Sequence, residues 1–173
     1  MKRLTLSLAL LVLGFNLAAC DDAPTGPSTG AKATFTAVLL PANEVPAIVG
    51  AEAAGAGTVS ITLNVTRDYA GTITAATADF VVTATGFPNG TSLTDAHIHG
   101  GPAGTNGGVL VNLGLSAGSV TFPNGGGTFT RNGITVTADQ ASGILANPAN
   151  FYFNIHTAAN PGGVARGQLV LAQ

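Results

Sequence analysis

The chain reads as an all-β domain: a single antiparallel Greek-key sandwich or barrel, with one short helix near 139–145. Three observations predict this. From residue 33 onwards threonine, valine and glycine are abundant, and the first two fit a pleated, half-buried surface. Apolar and polar residues alternate with period two in short runs, the signature of strands that bury one face. Those runs are cut by the 24 glycines and 9 prolines of the 173-residue sequence, which mark frequent turns rather than long helices.

The chain opens on a targeting segment. Met1-Lys2-Arg3 is basic, and residues 4–15 are apolar apart from Thr5, Ser7 and Gly14. Leu17-Ala18-Ala19-Cys20 follows, small residues before a cysteine. This pattern predicts a lipoprotein signal peptide over 1–19, too short for a membrane span, with Cys20 acylated as the new first residue. The membrane is then a partner through this lipid anchor. The predicted location is the bacterial cell envelope, on the periplasmic or cell-surface side. Cys20 is the only cysteine, so a disulfide within the chain is excluded. Removal of 1–19 leaves four basic and eight acidic side chains, a formal charge of −4. Without basic clusters, no nucleic-acid partner is expected, because such binding rests on phosphate neutralisation. Residues 20–32 contain Pro24, Gly26, Pro27 and Gly30 with few apolar groups, and predict a flexible tether. The β domain is expected over 33–173.

Within it, alternation marks strands at 34–40, 57–66, 71–75, 78–85, 92–99, 109–113, 119–122, 127–131, 134–137, 151–156 and 165–171. Asn132-Gly133, between two alternating runs, predicts a two-residue hairpin turn. The helix over 139–145 is announced by Thr137 and Gln140, the spacing of a capping box, and is ended by Asn147-Pro148. No internal repeat is evident, and about 140 residues suffice for one core.

The candidate chemistry sits in two glycine-flanked strings. Ala96-His97-Ile98-His99-Gly100-Gly101 and Asn154-Ile155-His156-Thr157 hold all three histidines of a chain in which only 8% of residues are charged. Strand parity sorts their neighbours: Ala96 and Ile98 share one face, His97 and His99 the other. Phe151, Phe153 and Ile155 oppose Tyr152, Asn154 and His156 in the same way. In 165–171, Leu169 and Leu171 oppose Arg166 and Gln168. If these strands share a sheet, the three histidines, Asp95, Asn154 and Arg166 lie on one polar face. Neutral imidazoles bind transition metals, so His97, His99 and His156 predict a three-nitrogen site for copper or zinc. Asp95, Asn154, Arg166 and Glu44 are expected around it as supporting groups, Glu44 as a partner for Arg166.

Other chemistries have less support. Residues 100–108 are glycine-rich but follow a strand without leading into a helix, so they are not a phosphate loop. No serine lies on a nucleophile turn, and no catalytic residue is assigned.

The first histidine string continues into Pro102-Ala103-Gly104-Thr105-Asn106-Gly107-Gly108-Val109, and the second into Ala158-Ala159-Asn160-Pro161-Gly162-Gly163-Val164-Ala165-Arg166-Gly167-Gln168-Leu169. With Leu40-Pro41-Ala42-Asn43-Glu44-Val45-Pro46-Ala47, these blocks resemble the three signature segments of the CHRD domain over roughly 33–171. That family usually has proline where this chain has Ala47, and an acidic residue where it has Val164. The resemblance implies an all-β extracytoplasmic domain without a settled activity. By fold-level analogy alone the sandwich is likened to immunoglobulin and copper–zinc superoxide dismutase domains. Three functions follow: a membrane-anchored extracytoplasmic binding domain that holds a metal, a purely structural or adhesive envelope module, or a copper-dependent redox enzyme. No protein partner can be named.

Overall fold

The computed structural model describes residues 28–172. Two antiparallel sheets pack face to face. The first comprises β1 (Ser28–Leu39), β2 (Ala56–Arg67), β3 (Ile73–Thr85), β7 (Gly127–Val136) and β10 (Val170–Leu171), in the order β10–β1–β2–β3–β7. The second orders β5 (Val109–Asn112), β4 (Thr91–Gly100), β8 (Phe151–Thr157) and β9 (Ala165–Gln168) as β5–β4–β8–β9, with β6 (Val120–Phe122) also paired to β4. Neither sheet closes on itself, so the sandwich is found and the barrel is not. Where the sheets meet at one corner, Leu40 exchanges backbone hydrogen bonds with Arg166 at 3.1 and 3.3 Å.

Alternation generates the core as expected. Val59, Ile61, Leu63 and Val65 of β2 point inward, as do Phe80 and Val82 of β3. They meet Leu93, Ala96 and Ile98 of β4 and Phe153 and Ile155 of β8. Phe80 and Phe153 join the two sheets with ring centroids 5.9 Å apart. The helix α1 (Ala138–Ala146) carries the predicted capping box, with Thr137 and Gln140 bonded reciprocally at 3.3 and 2.9 Å. It buries Ala141 and Ile144, and the Gln140 amide donates to the Leu110 carbonyl at 2.7 Å, tying the helix to β5.

Four expectations need correction. The expected tether over 20–32 ends earlier: β1 begins at Ser28, and Ala31 and Lys32 pair with Val65 and Asn64 of β2. Ladder formation requires only backbone groups, so a segment poor in apolar residues still pairs with a long neighbour. The runs 71–75 and 78–85 are parts of one strand, β3. Asn132-Gly133 is not a hairpin turn: β7 runs straight through it. Ala78 pairs with Ile134 and Phe80 with Arg131, so Asn132 and Gly133 together face Asp79 as a bulge. Only Gly133 has positive φ (67°), whereas the hairpin turn requires it at both residues. The Gly133 N–H donates to Asp79 Oδ1 at 2.8 Å, which holds the bulge. Lastly, 165–171 divides. Leu169 is buried as the chain crosses between sheets, so Leu171, 54% exposed, does not share its environment. The signal peptide and Cys20 lie outside the described residues.

Candidate metal centre

The parity argument holds for the second sheet. His97 pairs with Asn154, His99 with Tyr152 and Asp95 with His156 across the β4–β8 ladder. Ala96, Ile98, Phe153 and Ile155 take the core side, and the histidines lie on the opposite face. That face is not open to water: His97, His99 and His156 are only 8%, 7% and 6% exposed. The loops after the histidine strings fold back over it. Gly107 of the glycine-rich loop accepts from His99 Nδ1 at 3.0 Å, and Pro161 accepts from His156 Nδ1 at 2.9 Å. The loop that follows His156 is itself held by Glu52, whose Oε2 accepts from Thr157 Oγ1 at 2.8 Å and from the Asn160 amide at 2.5 Å.

These contacts set the tautomers. A carbonyl only accepts, so Nδ1 of both His99 and His156 carries the proton and Nε2 keeps its lone pair. His97 Nε2 lies 3.0 Å from Asp95 Oδ2, which likewise claims the N–H there and leaves Nδ1 unprotonated. Yet His97 Nδ1 stands 2.9 Å from His156 Nε2, and Asn154 Oδ1 stands 2.9 Å from the same nitrogen. Acceptors therefore converge on one point. Either an additional proton is shared there or a cation replaces it. His99 Nε2 is buried without any hydrogen-bond partner. Burial depresses the basicity of His99 and His156 below the ordinary imidazole range, against weaker support from the Gly107 and Pro161 carbonyls. Both rings stay neutral, the form that coordinates.

The distances suit an ion. One ring nitrogen from each histidine lies within 4.8 Å of the others. With metal–nitrogen bonds of about 2.0 Å, two ligands lie roughly 2.8 Å apart at a right angle and about 3.3 Å apart at the tetrahedral angle. The His97–His156 pair, at 2.9 Å, is already close to that separation, and the remaining gaps close by at most about 1.5 Å. Nitrogen and oxygen donors without sulfur match zinc or copper(II).

Two residues that parity placed on this face do more than sequence reasoning assigned them. Tyr152 stacks on His99, with centroids 4.9 Å apart and planes 4° from parallel, and its hydroxyl accepts the Gly107 N–H at 3.2 Å. Arg166 covers the same tyrosine, its Cζ 4.6 Å from the ring centroid. Arg166 donates through Nε to the Asn43 carbonyl at 2.6 Å and through Nη1 to Thr105 O and Asn106 Oδ1 at 3.1 and 2.9 Å. Glu44 is its carboxylate partner as expected, with Oε2 3.8 Å from Nε. Val164, where an acidic residue was usual, is fully buried among apolar groups. The signal that could have found Tyr152 was parity, which puts it on the same face of its strand as Asn154 and His156.

A family model describes the same segments. The CHRD domain matches residues 35–169, most of the chain. The chain belongs to the CHRD family. No curated protein and no solved structure matches it. All three signature blocks of this CHRD domain meet at one place: the opening block brings Glu44, the middle block His97 and His99, and the closing blocks His156 and Arg166.

Proposed function

We propose that this CHRD domain is a lipid-anchored extracytoplasmic binding module whose His97, His99 and His156 hold one zinc or copper ion. The observation that carries the reading is the convergence of buried acceptors: His97 Nδ1 and His156 Nε2 lie 2.9 Å apart while the other nitrogen of each ring is engaged. Carbonyls and a carboxylate on the far side of ligand imidazoles are what orients such rings around a metal. Asp95, Gly107 and Pro161 fill that role here, and Asn154 offers an amide oxygen beside the ligands. Acyl chains on Cys20 would keep the module at the membrane of the cell envelope.

The test is metal analysis of the full chain, followed by calorimetric titration with zinc and with copper. One equivalent is expected, and alanine at His97, His99 or His156 should remove most of the affinity. Alanine at Asp95 should remove less. Affinity should fall below about pH 6, where protons compete for the imidazoles. A wild-type chain that binds no stoichiometric metal would overturn the reading. So would three alanine variants that bind as the wild type does, and the histidines would then serve only to order the loops.

A further inference from the structure

Three histidines leave one corner of a tetrahedral metal site unassigned. On β8, Asn154 stands directly across from His97 and two residues before His156, on the same face. It is 1% exposed. Its Oδ1 lies 2.9 Å from His156 Nε2. That nitrogen has no proton to give, because the Pro161 carbonyl holds the proton of this ring on Nδ1. Two acceptors therefore face each other, and His97 Nδ1 is a third, also 2.9 Å from His156 Nε2. Neighbouring ligand atoms on one ion, with bonds of about 2.0–2.2 Å, stand roughly 3 Å apart. The oxygen of Asn154 already has that spacing.

The other end of the same amide accounts for its direction. A Cβ added at Gly163 would stand 2.6 Å from Asn154 Nδ2 and 2.7 Å from Glu44 Oε1. Both atoms thus border one gap, which a glycine leaves open, and Gly163 also has a φ of 132° that favours glycine. Glu44 is buried, and its Oε1 has no hydrogen-bond partner among the described residues. We infer that Asn154 Oδ1 is the fourth ligand of the ion proposed above, and that Glu44 is the positioning residue that draws the amide nitrogen to the far side. This rests on the three-histidine reading and completes it. Three nitrogens and one oxygen then enclose the ion, and the amide occupies the position that water would otherwise take. Glu44 does not touch the metal: it acts on the amide, as outer groups orient the ligands of other metal sites. Two buried atoms without partners acquire a use, His99 Nε2 as a ligand and Glu44 Oε1 as the group that sets Asn154.

Cobalt(II) titrated into the metal-free full chain tests this, because its visible absorption is strong in four-coordinate tetrahedral sites and weak when coordination rises. The wild type should bind one equivalent with the tetrahedral spectrum. Asn154→Ala should still bind cobalt through the imidazoles, at least tenfold more weakly and with a changed spectrum as water enters. Glu44→Ala should show the same changed spectrum, with an affinity loss of about tenfold. The double variant should show no further change, because Glu44 acts through Asn154. If the variants do not fold, a crystal structure of the zinc-loaded wild type decides, with Asn154 Oδ1 expected within about 2.2 Å of the ion. A wild-type chain that binds no cobalt overturns the three-histidine reading and this inference together. Cobalt bound with one and the same spectrum in the wild type and Asn154→Ala overturns the inference alone, as does a water on zinc where Oδ1 is expected. A Glu44→Ala chain that keeps the wild-type spectrum refutes the positioning role of Glu44.

Discussion

The buried Glu44 carboxyl provides a quantitative prediction about stability. In the fold its titration point moves from the ordinary 4.5 to about 7, because burial penalises the charged form more than Arg166 stabilises it. At about 1.4 kcal/mol per pH unit, that move amounts to about 3 kcal/mol. The sign follows from which state holds the proton more tightly. The folded chain does, so the favourable contribution is complete below pH 4.5 and is lost as pH rises through 7. Glu44→Gln keeps the neutral shape and has nothing to titrate. Its stability relative to wild type should therefore climb by about 3 kcal/mol between pH 4 and pH 8. Any constant penalty from the weakened contact with Arg166 cancels in that difference. His99 and His156 titrate in both proteins and cancel as well. Urea unfolding of the metal-free chains at several pH values is the assay, and with an m-value near 2 kcal/mol per molar the midpoints should diverge by about 1.5 M. Stability curves that run parallel from pH 4 to pH 8 would refute the assignment of a buried, proton-holding carboxyl at Glu44.

Further expectations follow from the loops, the bulge and the anchor. A side chain at Gly107 would place its Cβ 1.4 Å from the Gly100 carbonyl oxygen, so Gly107→Ala must displace the loop that holds His99, whereas Gly108→Ala meets nothing within 4 Å. Calorimetry should show zinc or copper affinity reduced at least tenfold in the first variant and unchanged in the second. Asp79→Ala removes the acceptor of the Gly133 N–H and of the Asn64 amide, at 2.8 and 3.0 Å. It should lower stability by about 1–2 kcal/mol and speed exchange of the Gly133 amide, and unchanged exchange there would count against the bulge. Cys20→Ser should leave the chain as uncleaved precursor or release it from the membrane fraction, and a processed variant that still fractionates with membranes would exclude the lipid anchor.

The metal reading and the envelope reading support each other through composition. The chain has a single methionine, Met1, and a single cysteine, Cys20, so the described domain offers only nitrogen and oxygen donors. The cover over the histidines also bears on the redox alternative. A metal-dependent oxidation needs an open coordination position and a route to it, while Asn154 Oδ1 sits 2.9 Å from His156 Nε2 within the cluster.

Much of this domain was legible in the chain because strand geometry is local. Alternation with period two assigned β2, β4 and β8 and their inward faces, and put His97 and His99 opposite Ala96 and Ile98. The capping residues Thr137 and Gln140 announced α1 for the same reason: their bonds span only three positions. The failures are all long-range. Asn132-Gly133 has the composition of a tight turn, yet Asp79, 54 residues away, accepts the Gly133 N–H and keeps β7 continuous. Residues 30–32 are exposed and lack a buried face of their own, and the pairing groups on β2 decide that Ala31 and Lys32 join a strand. Parity predicted a polar sheet face but not its burial, because nothing in a strand's own period says which loop will fold over it. Only the closed sandwich brings Glu44 from the opening block to Arg166 from the last. It also brings His156 to 2.9 Å from His97, 59 positions earlier. Side-chain direction is fixed by the backbone of a few neighbours, whereas burial, tautomer and proton affinity are fixed by whatever the rest of the chain packs against them.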